Sequence, residues 1–116
     1  MEDPALAGHL QELRRGSVVI ACLTVLTTPA YGYALSRSLE EAGFAVEQNT
    51  LYPLLRRLET QGLLVSAWNT DEPRPRKFYR TTPEGDRVAA ALRDDLDRMR
   101  SALAALQERS DVELDG

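Results

Sequence analysis

Apolar side chains recur at helical spacing through three stretches, at strand spacing through two more, and at helical spacing again towards the C-terminus. Asp3-Pro4 opens the first helix, with Asp3 as cap and Pro4 at the first helical position, where a missing N–H costs nothing. Leu6, Leu10 and Leu13 follow, Arg14-Arg15-Gly16 offers a break, and Ser17 can cap a continuation through Val18, Ala21, Cys22, Val25 and Leu26. Pro29 lies beyond its end. A second helix is predicted over residues 31–42, with Leu35, Ser38, Leu39 and Ala42 inward and Gly43 placed for a left-handed turn. The third covers residues 50–61. Leu51, Leu54, Leu55 and Leu58 follow i, i+3, i+4, i+7, the pattern of a helix buried on one side only. Gly62 ends it, and Pro53 must lie near its start, since deeper in the helix it would remove a hydrogen bond.

The period then changes. Residues 63–68 and 77–81 read as two short strands around the polar stretch 69–75, a hairpin with a loop too long for a two-residue turn. Thr82 as cap, Pro83 at the first position and Glu84 in the first turn announce a last helix running to about Arg109. Three helices, the third half-exposed, followed by a hairpin and a long helix predict a mainly α fold with a small β-hairpin (α+β). This is a winged helix-turn-helix plus a long C-terminal dimerisation helix. The expected division is 1–16 as an N-terminal helical arm, 17–82 as the winged domain, 83–109 as the dimerisation helix and 110–116 as a frayed acidic tail.

A chain of 116 residues with 43% hydrophobic content supports one modest core, which a second copy would help to complete. The longest apolar run, residues 17–26, is too short to span a bilayer. Met1-Glu2-Asp3 carries no basic region of a signal peptide, and a single cysteine fits a reducing compartment, so a cytoplasmic location is expected. A net charge of −4 argues against nucleic acid if taken alone. Its distribution reverses that reading. Residues 83–116 hold five arginines against nine acids, whereas residues 31–82 hold seven basic and six acidic side chains. Arg74, Arg76 and Lys77 crowd one acid-free stretch, and Arg80 follows.

The predicted third helix leaves Asn49, Thr50, Tyr52, Arg56 and Arg57 on its outer side. Short polar groups and a tyrosine at a helix N-terminus can reach base edges or phosphates, and an arginine one turn later can pair with guanine or phosphate. On an isolated helix such arginines would be ordinary solvated charge. Beside them, however, the wing with Arg74, Arg76 and Lys77 is stiffened by Pro73 and Pro75, and stiff cationic loops suit phosphate contact.

These segments resemble the PadR family of transcriptional regulators. The resemblance rests on Thr50-Leu-Tyr-Pro-Leu-Leu-Arg-Arg-Leu-Glu59 followed by Gly62-Leu63 and Trp68, on Tyr31-Gly32-Tyr33, on the Pro-Arg-Lys-Phe-Tyr-Arg run at 75–80, and on Thr82-Pro83-Glu84-Gly85. It covers about Arg14 to Arg109 and is similar in length to the short branch with a single C-terminal helix. It implies a homodimeric regulator, usually a repressor, on a pseudo-palindromic operator. Tyr33, Thr50, Tyr52, Pro53 and Arg56 would lie near double-stranded DNA, with Arg74, Arg76 and Lys77 on the wing. Where the family often has serine and glycine, this chain has Glu47-Gln48-Asn49, with Glu47 able to cap.

Ala89, Leu92, Leu96, Met99, Leu103 and Leu106 alternate steps of three and four, a coiled-coil seam expected to pack both against helix one of the same chain and, as its main use, against a second copy, the partner expected by symmetry. Cys22 falls on an apolar stripe as a small hydrophobe, and His9 has no partner at metal spacing. No cofactor, metal site or active site is expected, so the chain is not expected to be an enzyme. Trp68 is expected to pack between the wing and the last helix. Some short PadR-like proteins bind flat aromatic drugs through an aromatic residue of that helix, and this chain has none after Tyr79. Both the existence and the identity of a small-molecule effector are left open by the sequence. The alternative use of the same surface is docking of an acidic protein partner without sequence-specific DNA binding.

Overall fold

The computed structural model describes residues 3–71 and 73–115; Met1 and Glu2 of the expected arm, Glu72 of the wing loop and Gly116 of the tail lie outside the described residues. Helix α1 (Pro4–Val25) starts as expected, Asp3 Oδ1 accepting from the backbone N–H of Ala5 at 3.0 Å. It then runs unbroken through Gly16, so the expected arm and the winged domain share one helix. A single glycine costs a helix only about 1 kcal/mol, too little to break one whose far end is seated in the core. Cys22 and Leu23 are buried, whereas Leu6 and Leu13 stand exposed on the first half.

Strand β1 (Ala30–Tyr31) was not legible from periodicity, being two residues long. It pairs with a strand far along the chain, Ala30 opposite Tyr79 and Tyr31 opposite Phe78. Helix α2 (Gly32–Glu41) buries Gly32, Leu35 and Leu39, while Ser38 and Ala42, expected inward, face solvent. Its last turn closes on Gly43 at φ +93°, with Gly43 N–H bonded to Glu40 O and Phe44 N–H to Leu39 O.

Helix α3 (Gln48–Thr60) begins two residues earlier than its leucine pattern implied. Glu47 is the cap residue, but through its backbone carbonyl and not its carboxylate. The earlier start puts Pro53 inside the helix rather than in its first turn. Leu51, Leu55 and Leu58 are buried, and Gly62 at φ +79° ends the element.

Strands β2 (Leu64–Asn69) and β3 (Arg76–Thr81) pair antiparallel from Leu64 opposite Thr81 to Asn69 opposite Arg76, giving a three-stranded sheet of order β1-β3-β2. Thr82 Oγ1 accepts from Gly85 N–H at 3.0 Å and donates to Gly62 O at 2.6 Å, which ties the start of α4 (Pro83–Asp115) to the end of α3. Helix α4 continues past Arg109, so the expected frayed tail is helical through Asp115. The core gathers α1, α2, α3, the sheet and the first turns of α4, with Cys22, Leu23, Leu26, Leu35, Leu51 and Leu55 wholly buried.

Candidate nucleic-acid interface

On α3, Asn49, Pro53 and Arg56 follow i, i+4, i+7 and sit on the side opposite Leu51, Leu55 and Leu58. All three are exposed, as are Thr50 and Arg57 on the flank nearer α1. Tyr33, the second residue of α2, is 61% exposed. Tyr52 differs from these. It is half-buried, and its ring fills the space over Gly32, where an added Cβ would stand 2.7 Å from Tyr52 Cε1. Tyr52 therefore sets the spacing of α2 and α3 as well as bordering the outer face.

The wing lies against α3 through charged and aromatic contacts. Lys77 Nζ is 3.9 Å from Glu59 Oε1 and 5.5 Å above the centre of the Tyr79 ring. The Ser66 hydroxyl donates to Glu59 Oε2. Burial, with Glu59 and Tyr52 nearby, pushes the Tyr79 phenol above its ordinary range, and Arg56 opposes this. On the other face of the sheet, the Arg76 guanidinium sits 4.0 Å over the Tyr31 ring. That ring meets Phe78 edge-on at 6.1 Å, and its hydroxyl accepts from Asn69 Nδ2 at 2.6 Å. Arg74 and Arg80 are exposed.

The predicted wing cations thus separate into two kinds. Arg74 projects from the loop, whereas Arg76 and Lys77 lie against other residues of the chain. Sequence reasoning missed Glu59 as the acid that meets Lys77; only the antiparallel register and the seating of β2 on α3 bring them together. It also left Arg80 out of the site, although strand alternation puts Arg80 on the Arg76 face. Trp68 is 62% exposed, contrary to the expected packing under α4. It lies near the far end of β2, roughly 16 Å of strand from the Leu63 region where α4 is anchored.

The α4 seam also separates. Ala89, at 2% exposure, belongs to this chain's own core, and Leu92 is half-buried. Leu96, Met99, Leu103 and Leu106 are exposed. A groove of about 1390 Å³ runs between the first half of α1 and the outer flank of α3, lined by Leu6, Leu10, Phe44, Val46 and Leu54 among others.

With this geometry in place, comparison with known proteins decides the family. A sequence model described as the transcriptional regulator PadR-like family matches residues 22–91. The chain belongs to the PadR-like family of transcriptional regulators. This PadR-like chain is 38% identical over 87 residues to "Transcriptional regulator Rv3488" of Mycobacterium tuberculosis, covering 74% of this chain and 78% of that one. It is 46% identical to a crystallised PadR family transcriptional regulator from Eggerthella lenta, with a TM-score of 0.85 over 90% of this chain and 93% of that one. A transcriptional regulator from Clostridium thermocellum shares 26% identity at a TM-score of 0.72, covering 79% and 94%. The winged-helix architecture read from the residues is that of these PadR-like structures. No helix among the described residues is long and apolar enough to cross a membrane.

Proposed function

We propose that this PadR-like regulator binds a pseudo-palindromic operator as a homodimer and represses transcription from it. The observation that carries this reading is the exposed outer face of α3, Asn49, Pro53 and Arg56, with a basic wing beside it. Helix α3 enters the major groove and Thr50 and Arg57 reach the flanking backbone. Arg74, Arg76 and Lys77 on the wing, together with Arg80, meet phosphates. The exposed seam of α4 and the exposed Leu6 and Leu13 of α1 are apolar surfaces that a second copy would cover. An effector that favours a dimer with its reading heads spread would release the operator by differential binding to the two states.

Selection of binders from a randomised duplex library at near-physiological salt tests this reading. An inverted repeat with half-sites roughly one turn, ~34 Å, apart is the expected result. A folded dimer that enriches no sequence would favour the protein-docking alternative.

A further inference from the structure

Lys77 is the only lysine in the chain; the other thirteen cationic side chains are arginines. It is also half-buried, with its ammonium facing an acid of the proposed reading helix. Glu59 is held for this contact by the Ser66 hydroxyl, which bonds the carboxylate oxygen that does not face Lys77. Ser66 and Lys77 project from the same face of the wing, because Ser66 pairs with Tyr79 and Trp68 with Lys77 along the antiparallel register. The carboxylate is therefore oriented from one strand of the hairpin and occupied by the other.

The residue types suit a contact that must break. An ammonium is a compact charge on a flexible four-carbon stem, and it can leave one oxygen for another by rotating that stem. A guanidinium at this position would engage a carboxylate through a planar fork and release it less readily. The Nζ–Oε1 distance of 3.9 Å and the one-third exposure of both side chains mark a partly hydrated pair of modest strength. Such a pair competes with a phosphate without excluding it.

We propose that Glu59 is a charge gate on the wing, holding Lys77 against α3 in the DNA-free protein and yielding it only when a phosphate competes. This rests on the DNA-binding reading above. Glu59 then lowers affinity for every duplex by the free energy of the contact that must be given up. It is a positioning residue, acting on DNA through Lys77.

The test uses four full-length proteins: wild type, Glu59→Gln, Lys77→Met and the double variant. Glutamine keeps an oxygen to accept from Ser66 and removes only the charge. Affinity for a labelled mixed-sequence duplex is measured by anisotropy across a range of salt. Glu59→Gln is expected to bind about two- to fivefold more tightly near physiological salt. Its dependence of log affinity on log salt should steepen by up to about 0.9, one counterion. In the Lys77→Met background the steepening should vanish. The single lysine also permits a direct readout: with lysine labelled at its ε carbon, its one resonance should shift in Glu59→Gln without DNA. Equal gains in both Lys77 backgrounds would mean that only the long-range field of an acid had been removed, and would overturn the gate. Weaker binding by Glu59→Gln would make Glu59 a scaffold residue and overturn it too. Wild type that binds no duplex at any salt would instead remove the DNA-binding reading, and the gate with it.

Discussion

Gly85 in the first turn of α4 lies so close to the Leu63 carbonyl that a Cβ on it would stand 2.1 Å from that oxygen. The same oxygen accepts from the Thr82 N–H at 3.1 Å, and Thr82 Oγ1 reaches the carbonyl of Gly62. The root of the α4 seam and the end of the proposed reading helix therefore meet backbone to backbone. Gly85→Ala is expected to cost roughly 1–3 kcal/mol, because the clash is with main chain that cannot rotate aside. Urea unfolding measures it; an unchanged midpoint would mean that α4 is not seated on this turn.

Gly16 is the opposite case. It is exposed in the middle of α1 with nothing within 4 Å of an added Cβ. Gly16→Ala is expected to stabilise the protein by about 0.5–1 kcal/mol through helix propensity. A neutral or unfavourable result would indicate that α1 is broken there, as the run Arg14-Arg15-Gly16 had suggested.

Cys22 is fully buried, and burial pushes its thiol up from 9.0 to about 12. Native protein should resist thiol reagents at neutral pH and react only as it unfolds. The sign of the pH effect follows from linkage. Between pH 9 and 12 the folded state holds a proton that the unfolded state releases, so stability is intact below about 9 and falls above it. A Cys22→Ala variant with the same alkaline loss as wild type would refute that assignment.

The exposed seam makes a separate forecast. Leu103→Glu places a charge on the proposed contact surface while leaving the chain's own core untouched, since Leu103 is 65% exposed. Sedimentation should show a monomer, circular dichroism should show unchanged helix content, and operator affinity should fall by more than tenfold as the two reading heads separate. A dimer that persists would mean that another surface holds the copies together.

Wing and helix should also differ in what they lose. Arg74→Ala should weaken binding to all sequences alike and flatten the salt dependence by about 0.9. Arg56→Ala should change the preferred sequence as well as the affinity. Uniform losses from both variants would take sequence reading away from α3.

How much of this was legible along the chain depends on how local each cause is. The caps of α1 and α4, the stop at Gly62 and the buried leucines of α3 follow from neighbours within a turn or two, and periodicity registers them. Strand β1 escaped because two residues have no period; it exists only because β3 supplies its partner. The continuity of α1 through Gly16 escaped for a related reason. The local signal favoured a break, and the core around Cys22 and Leu23 outweighed it.

Tertiary structure alone divided the candidate residues among their uses. The α4 heptad pattern joins Ala89 to Leu103 in one stripe, yet packing buries the first in its own domain and leaves the second exposed. The run of wing cations reads as one basic patch, yet strand alternation sends Arg76 to the Tyr31 ring on one face and Lys77 to Glu59 on the other. The sequence by itself determined helices α2, α3 and α4, the β2–β3 hairpin, their order and the polar outer face of α3, because these depend on spacing within one element. Which charges remain exposed and which are already met depends on Coulomb and ring contacts between residues far apart in sequence, and only the folded arrangement decides those.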